Sequence, residues 1–299
     1  MDGMGSGTVF VTGTNSGFGR ATVERFADRG WNVAATMRRT EEFADIFGGR
    51  GNVRVYGLDV TDPDAVASVA GRAIGDFGGV DVLVNNAGYF QMGPLETSTM
   101  EQIRAQFETN VFGLIALTKA FLPHFRANGA GTIVNVSSVS AENGYPFASA
   151  YSASKAAVAA LTEALNVELD AVGVTAKAVL PGQHATKIFT KVDVAPSVPA
   201  AYRPLLEGFV SQQSSVKGSR PEVVAEAIWE AATDGRRDKV RYYAGPDATV
   251  VPALKRLMGQ ERYFRFFRNT LLRGPNPLLR RFAPQGDAEV EVDLGALKA

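Results

Sequence analysis

The stretch "TVFVTGTNSGFGRATVERFADRG", residues 8–30, decides the fold. Thr8 to Thr12 is a short β-branched run, which reads as a buried strand. It runs into a turn carrying Gly13, Gly17 and Gly19, with Asn15, Ser16 and Phe18 between them. From Arg20 to Arg29 the apolar residues recur at helical spacing, and Gly30 stops the helix. Glycines in such a turn let the backbone bend sharply and approach a pyrophosphate. The helix behind them supplies amide donors and the positive end of its dipole. The spacing is G-x-x-x-G-x-G, which differs from the G-x-G-x-x-G dinucleotide fingerprint. A plain strand–turn–helix connection uses the same residue types. Its place at the head of a longer series favours the nucleotide reading.

That series continues along the chain. "NVAATM" from Asn32 and "NVRVYGLDV" from Asn52 read as the second and third strands. Asp62 and Pro63 start a helix that runs toward Phe77. "DVLVNNAG" from Asp81 is a fourth strand, and a long helix is expected over much of Glu101 to Phe125. "GTIVNVSS" from Gly131 is a fifth strand, a helix containing Tyr151 follows, and "GVTAKAVLPG" from Gly173 is a sixth. "RYYAG" from Arg241 adds a seventh. Strands alternating with helices of this length imply right-handed crossovers. The expected fold is α/β: a Rossmann-like, doubly wound parallel sheet of about seven strands flanked by helices. Residues 1–250 are expected to form the nucleotide-binding domain and 251–299 an extension. Residues 183–218, rich in proline and serine, break the alternation and are expected to form a substrate loop.

Composition narrows the function. The apolar share is 45% and the charged share 21%, as in a soluble globular protein. A net charge of zero argues against a general nucleic-acid binder. With no cysteine, thiolate nucleophiles and thiolate metal sites are excluded, and two histidines, His124 and His184, do not make a metal cluster. No metal is expected. The N-terminal "MDGMGSG" does not read as a signal peptide, and no apolar run is long enough for a membrane span, so a cytoplasmic location is expected.

The end of the second strand reads "ATMRRT". NAD binders usually place an acid there for the ribose 2′-hydroxyl. Here Met37 takes that place, and Arg38 and Arg39 follow. Guanidinium forks suit a 2′-phosphate, so NADP(H) is preferred over NAD(H). Further on, "YSASK" sets Tyr151 and Lys155 on one helix face. A free phenol has a pKa near 10, and a nearby ammonium favours its ionised form.

With these pieces in place, the chain resembles the short-chain dehydrogenase/reductase family in its common single-domain form. "TGTNSGFG" at Thr12, "LDV" at Leu58, "NNAG" at Asn85, "TNVFG" at Thr109, "NVSS" at Asn135, "YSASK" at Tyr151 and "LPG" at Leu180 occur in the family's order over about residues 8 to 190. The resemblance implies a catalytic set of Ser138, Tyr151 and Lys155, with Asn110 holding a water in the proton relay. Ser138 is preferred over Ser137 because it stands thirteen residues before Tyr151, the family's usual spacing. The glycine turn would hold the pyrophosphate. Asp59 and Val60 would lie around the adenine, and Asn86, Ala87 and Gly88 along the cofactor. Lys155 would also bond the nicotinamide ribose. Pro181 and Gly182 would pass near the nicotinamide, with Thr186 on its carboxamide. In carbonyl reduction the nicotinamide supplies hydride. Tyr151 then supplies the proton, and Ser138 stabilises charge on the oxygen.

The pocket is expected from Tyr89, Phe90, Met92, Tyr145, Phe147, Ile188 and Phe189, with Gln91, Glu142 and Asn143 as polar candidates. That suits a medium-sized hydrophobic small-molecule carbonyl or alcohol. His184 starts the substrate loop and could touch substrate or cofactor; His124 reads as a surface or helix-end residue. Past about residue 250, basic residues from Lys255 to Arg281 interleave with Leu, Phe and Tyr. Packing on the domain or on a second subunit is favoured over a membrane surface, and nucleic acid is not expected. The acidic "GDAEVEVDLGALKA" stretch at the end could be mobile or pair with a strand or the basic segment. The resemblance implies a homodimer or homotetramer. A catalytically idle NADP-binding scaffold and a membrane-surface reductase are the competing functions.

Overall fold

Residues 7–41, 45–184, 192–214 and 218–273 are described in a computed structural model of the chain. Among the described residues seven strands build the main sheet: β1 (Thr8–Thr12), β2 (Asn32–Met37), β3 (Val53–Gly57), β4 (Val82–Asn85), β5 (Gly131–Val136), β6 (Val174–Pro181) and β7 (Arg241–Ala244). They form one parallel sheet in the order β3-β2-β1-β4-β5-β6-β7. The order reverses between β1 and β4, which opens a crevice outside their carboxyl ends.

Alternation along β1 explains why helices cover both faces. Val9 and Val11 point to one face, where they meet Phe26, Trp31, Val224 and Ile228. Phe10 points to the other, against Leu83, Phe121 and Phe125. α1 (Gly17–Asp28) and α7 (Pro221–Thr233) bury their apolar sides on the first face. α2 (Pro63–Phe77) and α4 (Gly113–Asn128) do so on the second. Phe10, Phe26, Phe121 and Phe125 are fully buried, each worth roughly 1.5–3 kcal/mol of transfer free energy.

Local signals set the helix ends. Asp62 accepts from the backbone N–H groups of Asp64 and Ala65, and Pro63 opens α2. Thr99 and Gln102 cap α3 (Met100–Phe107) reciprocally.

The long helix expected over Glu101 to Phe125 is interrupted. Between α3 and α4 the chain makes a π-turn, Glu108–Phe112, and the Gly113 N–H reaches back to the Glu108 carbonyl. The extra residue turns Asn110 inward, and only 2% of its surface is exposed. Gly113 is needed just after it: a Cβ there would lie 2.8 Å from the Val60 carbonyl oxygen.

The segment after β6 is also more ordered than a loop. Asp193–Val194 pairs with Gln91–Met92, and α6 (Arg203–Ser214) follows. Residues 185–191 and 215–217 lie outside the described residues. Beyond β7 the basic, aromatic stretch forms α8 (Pro246–Met258) and α9 (Gln260–Arg273). No helix among the described residues is long and apolar enough to cross a membrane.

Candidate active site

The glycine turn sits at the carboxyl end of β1. Gly13 and Gly17 have φ of 68° and 56°, a region L side chains rarely occupy. At Gly19 the demand is steric, because a Cβ would lie 2.2 Å from the Gly13 carbonyl oxygen. The turn is clamped from β4. Thr12 Oγ1 accepts from the N–H groups of Asn86 and Ala87, both at 2.9 Å. Asn86 Nδ2 donates to the carbonyls of Thr12 at 2.8 Å and Gly13 at 3.2 Å. Ser16 stands at the N-cap of α1, yet its hydroxyl makes no capping bond. The first-turn amides of α1 thus lack the usual side-chain acceptor. Together with half-buried Asn15 and Phe18, this is a cradle with donors for a pyrophosphate.

The adenosine side is more open. Met37 is buried, so the first exposed side chains past β2 are Arg38 and Arg39. Asp59 is exposed and accepts from Thr61 N and Oγ1, while Val60 is buried.

α5 (Ser149–Glu168) carries Tyr151 and Lys155, and polar tethers set its place on the sheet. Asn135 Nδ2 donates to Thr162 Oγ1 at 2.9 Å, and Asn166 Nδ2 to the Ala176 carbonyl at 2.9 Å. Ser137 Oγ donates to the Lys155 carbonyl at 2.7 Å. Ser137 is therefore a tether, while Ser138 lies beside the phenol of Tyr151, its Oγ accepting from Ser140 N at 3.1 Å and donating to Ser140 Oγ at 3.2 Å. Tyr151 is buried edge-on against Phe90, 4.7 Å between ring centres. Lys155 Nζ lies 5.8 Å from the Tyr151 ring centre and donates to the Val136 carbonyl at 2.9 Å. Gly88 fits between Asn110 and Lys155. A Cβ there would be 2.8 Å from Asn110 Oδ1 and 3.6 Å from Lys155 Nζ. Asn110 Oδ1 accepts from Tyr89 N, and its Nδ2 donates to the Tyr89 carbonyl and to Ser154 Oγ.

The sequence suggests that the ammonium pulls the phenol down. In the protein, burial dominates both groups. It pushes Tyr151 up to about 12, with the Ser138 hydrogen bond acting the other way. It pulls Lys155 down to about 8.

Phe90, Met92, Tyr145 and Phe147 come together in an apolar cluster, joined by Leu206 and Phe209 of α6 and Leu271 of α9. The polar candidates are not free to line it. Glu142 accepts from Arg241 and from Tyr243 Oη at 2.9 Å, and its main-chain oxygen from Lys255 Nζ. Asn143 Nδ2 donates to Tyr263 Oη at 2.7 Å. Gln91 bonds Ser98 and Gln106. Thr186, Ile188 and Phe189 lie outside the described residues. Pro181 ends β6 and Gly182 follows it, next to fully buried His184. His124 bonds the backbone of Val80. Sequence reasoning missed the Thr12 hydroxyl and Asp247. A threonine closing a strand and an acid two residues after a glycine are signals too common to single either out.

The profile of the short chain dehydrogenase family matches residues 7–196. An uncharacterized oxidoreductase of Bacillus subtilis, YusZ, is 37% identical over 247 residues, 79% of this chain and 88% of its own. Among solved structures, a short-chain dehydrogenase from Streptomyces avermitilis superposes with a TM-score of 0.76 at 33% identity, covering 89% of this chain and 99% of that one. ElxO with NADP bound gives 0.69 at 26% identity, covering 80% and 97%. The chain belongs to the short-chain dehydrogenase/reductase family, a family of oxidoreductases that bind a nicotinamide cofactor.

Proposed function

We propose that the protein transfers hydride between NADP(H) and a ketone or secondary alcohol of a medium-sized, hydrophobic small molecule. The observation that carries this reading is the meeting of Ser138, Tyr151 and Lys155 at the sheet edge that also holds the glycine turn. The glycine cradle, clamped by Thr12 and Asn86, would hold the pyrophosphate, and the cofactor when bound supplies the hydride. Ser138 donates to the substrate oxygen as negative charge builds there. Tyr151 gives its proton to that oxygen in reduction and takes one back in oxidation. Lys155 lies close enough to Tyr151 to stabilise the phenolate by its charge. The aromatic cluster around Phe90 and Phe147 excludes water and favours an apolar substrate.

Family membership leaves the choice between NAD and NADP open. The exposed Arg38 and Arg39 at the end of β2, with buried Met37 standing where an acid would meet the ribose, favour a 2′-phosphate. A panel of ketones and alcohols, read by nicotinamide absorbance with NADPH and NADH side by side, tests both parts. Turnover of apolar carbonyl compounds with NADPH is expected. Equal use of NADH removes the role given to the arginines. Cofactor binding with no turnover on any substrate class overturns the enzyme reading in favour of an idle binding protein.

A further inference from the structure

We infer that Asp247, in the first turn of α8, is a positioning residue that holds the Pro181–His184 turn against the nicotinamide half of the cofactor. The inference rests on the dinucleotide reading above. Asp247 Oδ2 accepts from the Gln183 N–H at 2.7 Å. A Cβ on Gly182 would lie 2.0 Å from Asp247 Oδ1. So the carboxylate itself fills the space beside Gly182. That gives a reason for glycine there independent of any cofactor contact.

The rest of the turn is held from the same side. Gly182 N donates to the Ala244 carbonyl at 2.8 Å, and Ser219 N to the Gln183 carbonyl at 3.0 Å. His184 Nδ1 lies 3.0 Å from the Gly182 carbonyl, and as its donor leaves Nε2 an acceptor. Nε2 is buried with no hydrogen-bond partner among the described residues. The imidazole packs edge-on against Phe18 at 5.2 Å, and Phe18 belongs to the glycine turn. Gly245 has a φ of 100°, and a Cβ there would meet His184 Cε1 at 3.1 Å and Asp247 Oδ1 at 3.2 Å. Asp247 therefore grips Gly182 and Gln183, and His184 carries the contact to the cradle.

The place of this turn along the cofactor follows from the sheet. The glycine turn, after β1, takes the pyrophosphate. β6 lies three strands away, beyond β4 and beside β5, which ends on the carbonyl that Lys155 bonds and is followed two residues later by Ser138. The end of β6 thus borders the reacting end of the dinucleotide, not its adenosine end. The half-buried Asp247 carboxylate fixes the Gln183 N–H in place, because leaving either group unpaired is costly. The sequence from Gly245 to Asp247 sits just past β7, so the α8–α9 extension begins with a residue acting on the cofactor site.

Two ligands separate this role from general support of the fold. Titration calorimetry on the full chain would use NADPH and 2′-phospho-ADP-ribose, which lacks only the nicotinamide. In Asp247→Ala the dissociation constant for NADPH is expected to rise about tenfold or more, the scale of one hydrogen bond to a charged acceptor. The constant for the fragment is expected to stay within about twofold. Asp247→Asn, which keeps an oxygen for the Gln183 N–H, is expected to restore most of the NADPH affinity. If Asp247→Ala does not fold, Gly182→Ala pushes the same carboxylate away and should give the same split. Equal weakening of both ligands, or of neither, overturns the inference. A wild-type chain that binds neither ligand overturns the dinucleotide reading instead.

Discussion

Replacing Lys155 by methionine removes a charge that the folded protein holds out of water. The ordinary lysine value is 10.5, and burial brings Lys155 down to about 8. Above 10.5 the group is neutral in both states and costs nothing. As pH falls from 10.5 to 8 the unfolded chain takes up the proton before the folded one, so wild-type stability falls. Below 8 both states are protonated and the full cost remains. At about 1.36 kcal/mol per pH unit, the gap comes to about 3 kcal/mol. Lys155→Met lacks this dependence. It also loses the bond to the Val136 carbonyl, but that loss is the same from pH 8 to 10 as long as the carbonyl stays in place. Tyr151, raised to about 12 by burial, stabilises the fold below 10 and loses that contribution as pH rises toward 12. Up to pH 10 the folded phenol stays protonated in both proteins, so its effect cancels in the difference. Urea denaturation of both at pH 7, 8, 9 and 10 should show wild type gaining about 2–3 kcal/mol on the variant between pH 8 and 10. Parallel stability curves would refute the buried, depressed lysine.

Tyr151→Phe keeps the ring against Phe90 and removes the acid. Turnover by absorbance should fall about 10²–10⁴-fold while dinucleotide binding survives, and full activity would sink the assignment. The two adjacent serines should part company. Ser137→Ala leaves the Lys155 carbonyl short of a donor and should cost about 1–2 kcal/mol in a denaturation curve. Ser138→Ala should instead lower kcat about 10²–10³-fold with little change in stability. Gly19→Ala places a methyl 2.2 Å from the Gly13 carbonyl and should both destabilise the fold by about 1–3 kcal/mol and weaken dinucleotide binding. Wild-type affinity in that variant would show that the turn has slack.

Several features were readable from residue order because they are local. The β-branched run before Gly13, the Asp62–Pro63 helix start and the alternation of strand and helix each need only a few neighbouring side chains. The π-turn at Glu108–Phe112 was not readable. Its residues look like ordinary helix formers, and what admits the extra residue is the inward pull on Asn110 from Tyr89 and Ser154. Glu142 and Asn143 misled for a related reason. They follow Ser138 in sequence, as pocket residues would, but their partners arrive from β7, α8 and α9.

By itself the sequence determined the α/β class, the phosphate-type turn, and the pairing of Tyr151 with Lys155 on one helix face. Periodicity and turn chemistry act over a handful of residues, so they survive in a one-dimensional reading. Tertiary structure decided which serine faces the phenol, that burial rather than charge dominates the Tyr151–Lys155 pair, and that an aspartate 64 residues from Gln183 holds the turn after β6. These depend on desolvation and on contacts between distant segments, and both exist only once the sheet has brought the segments together.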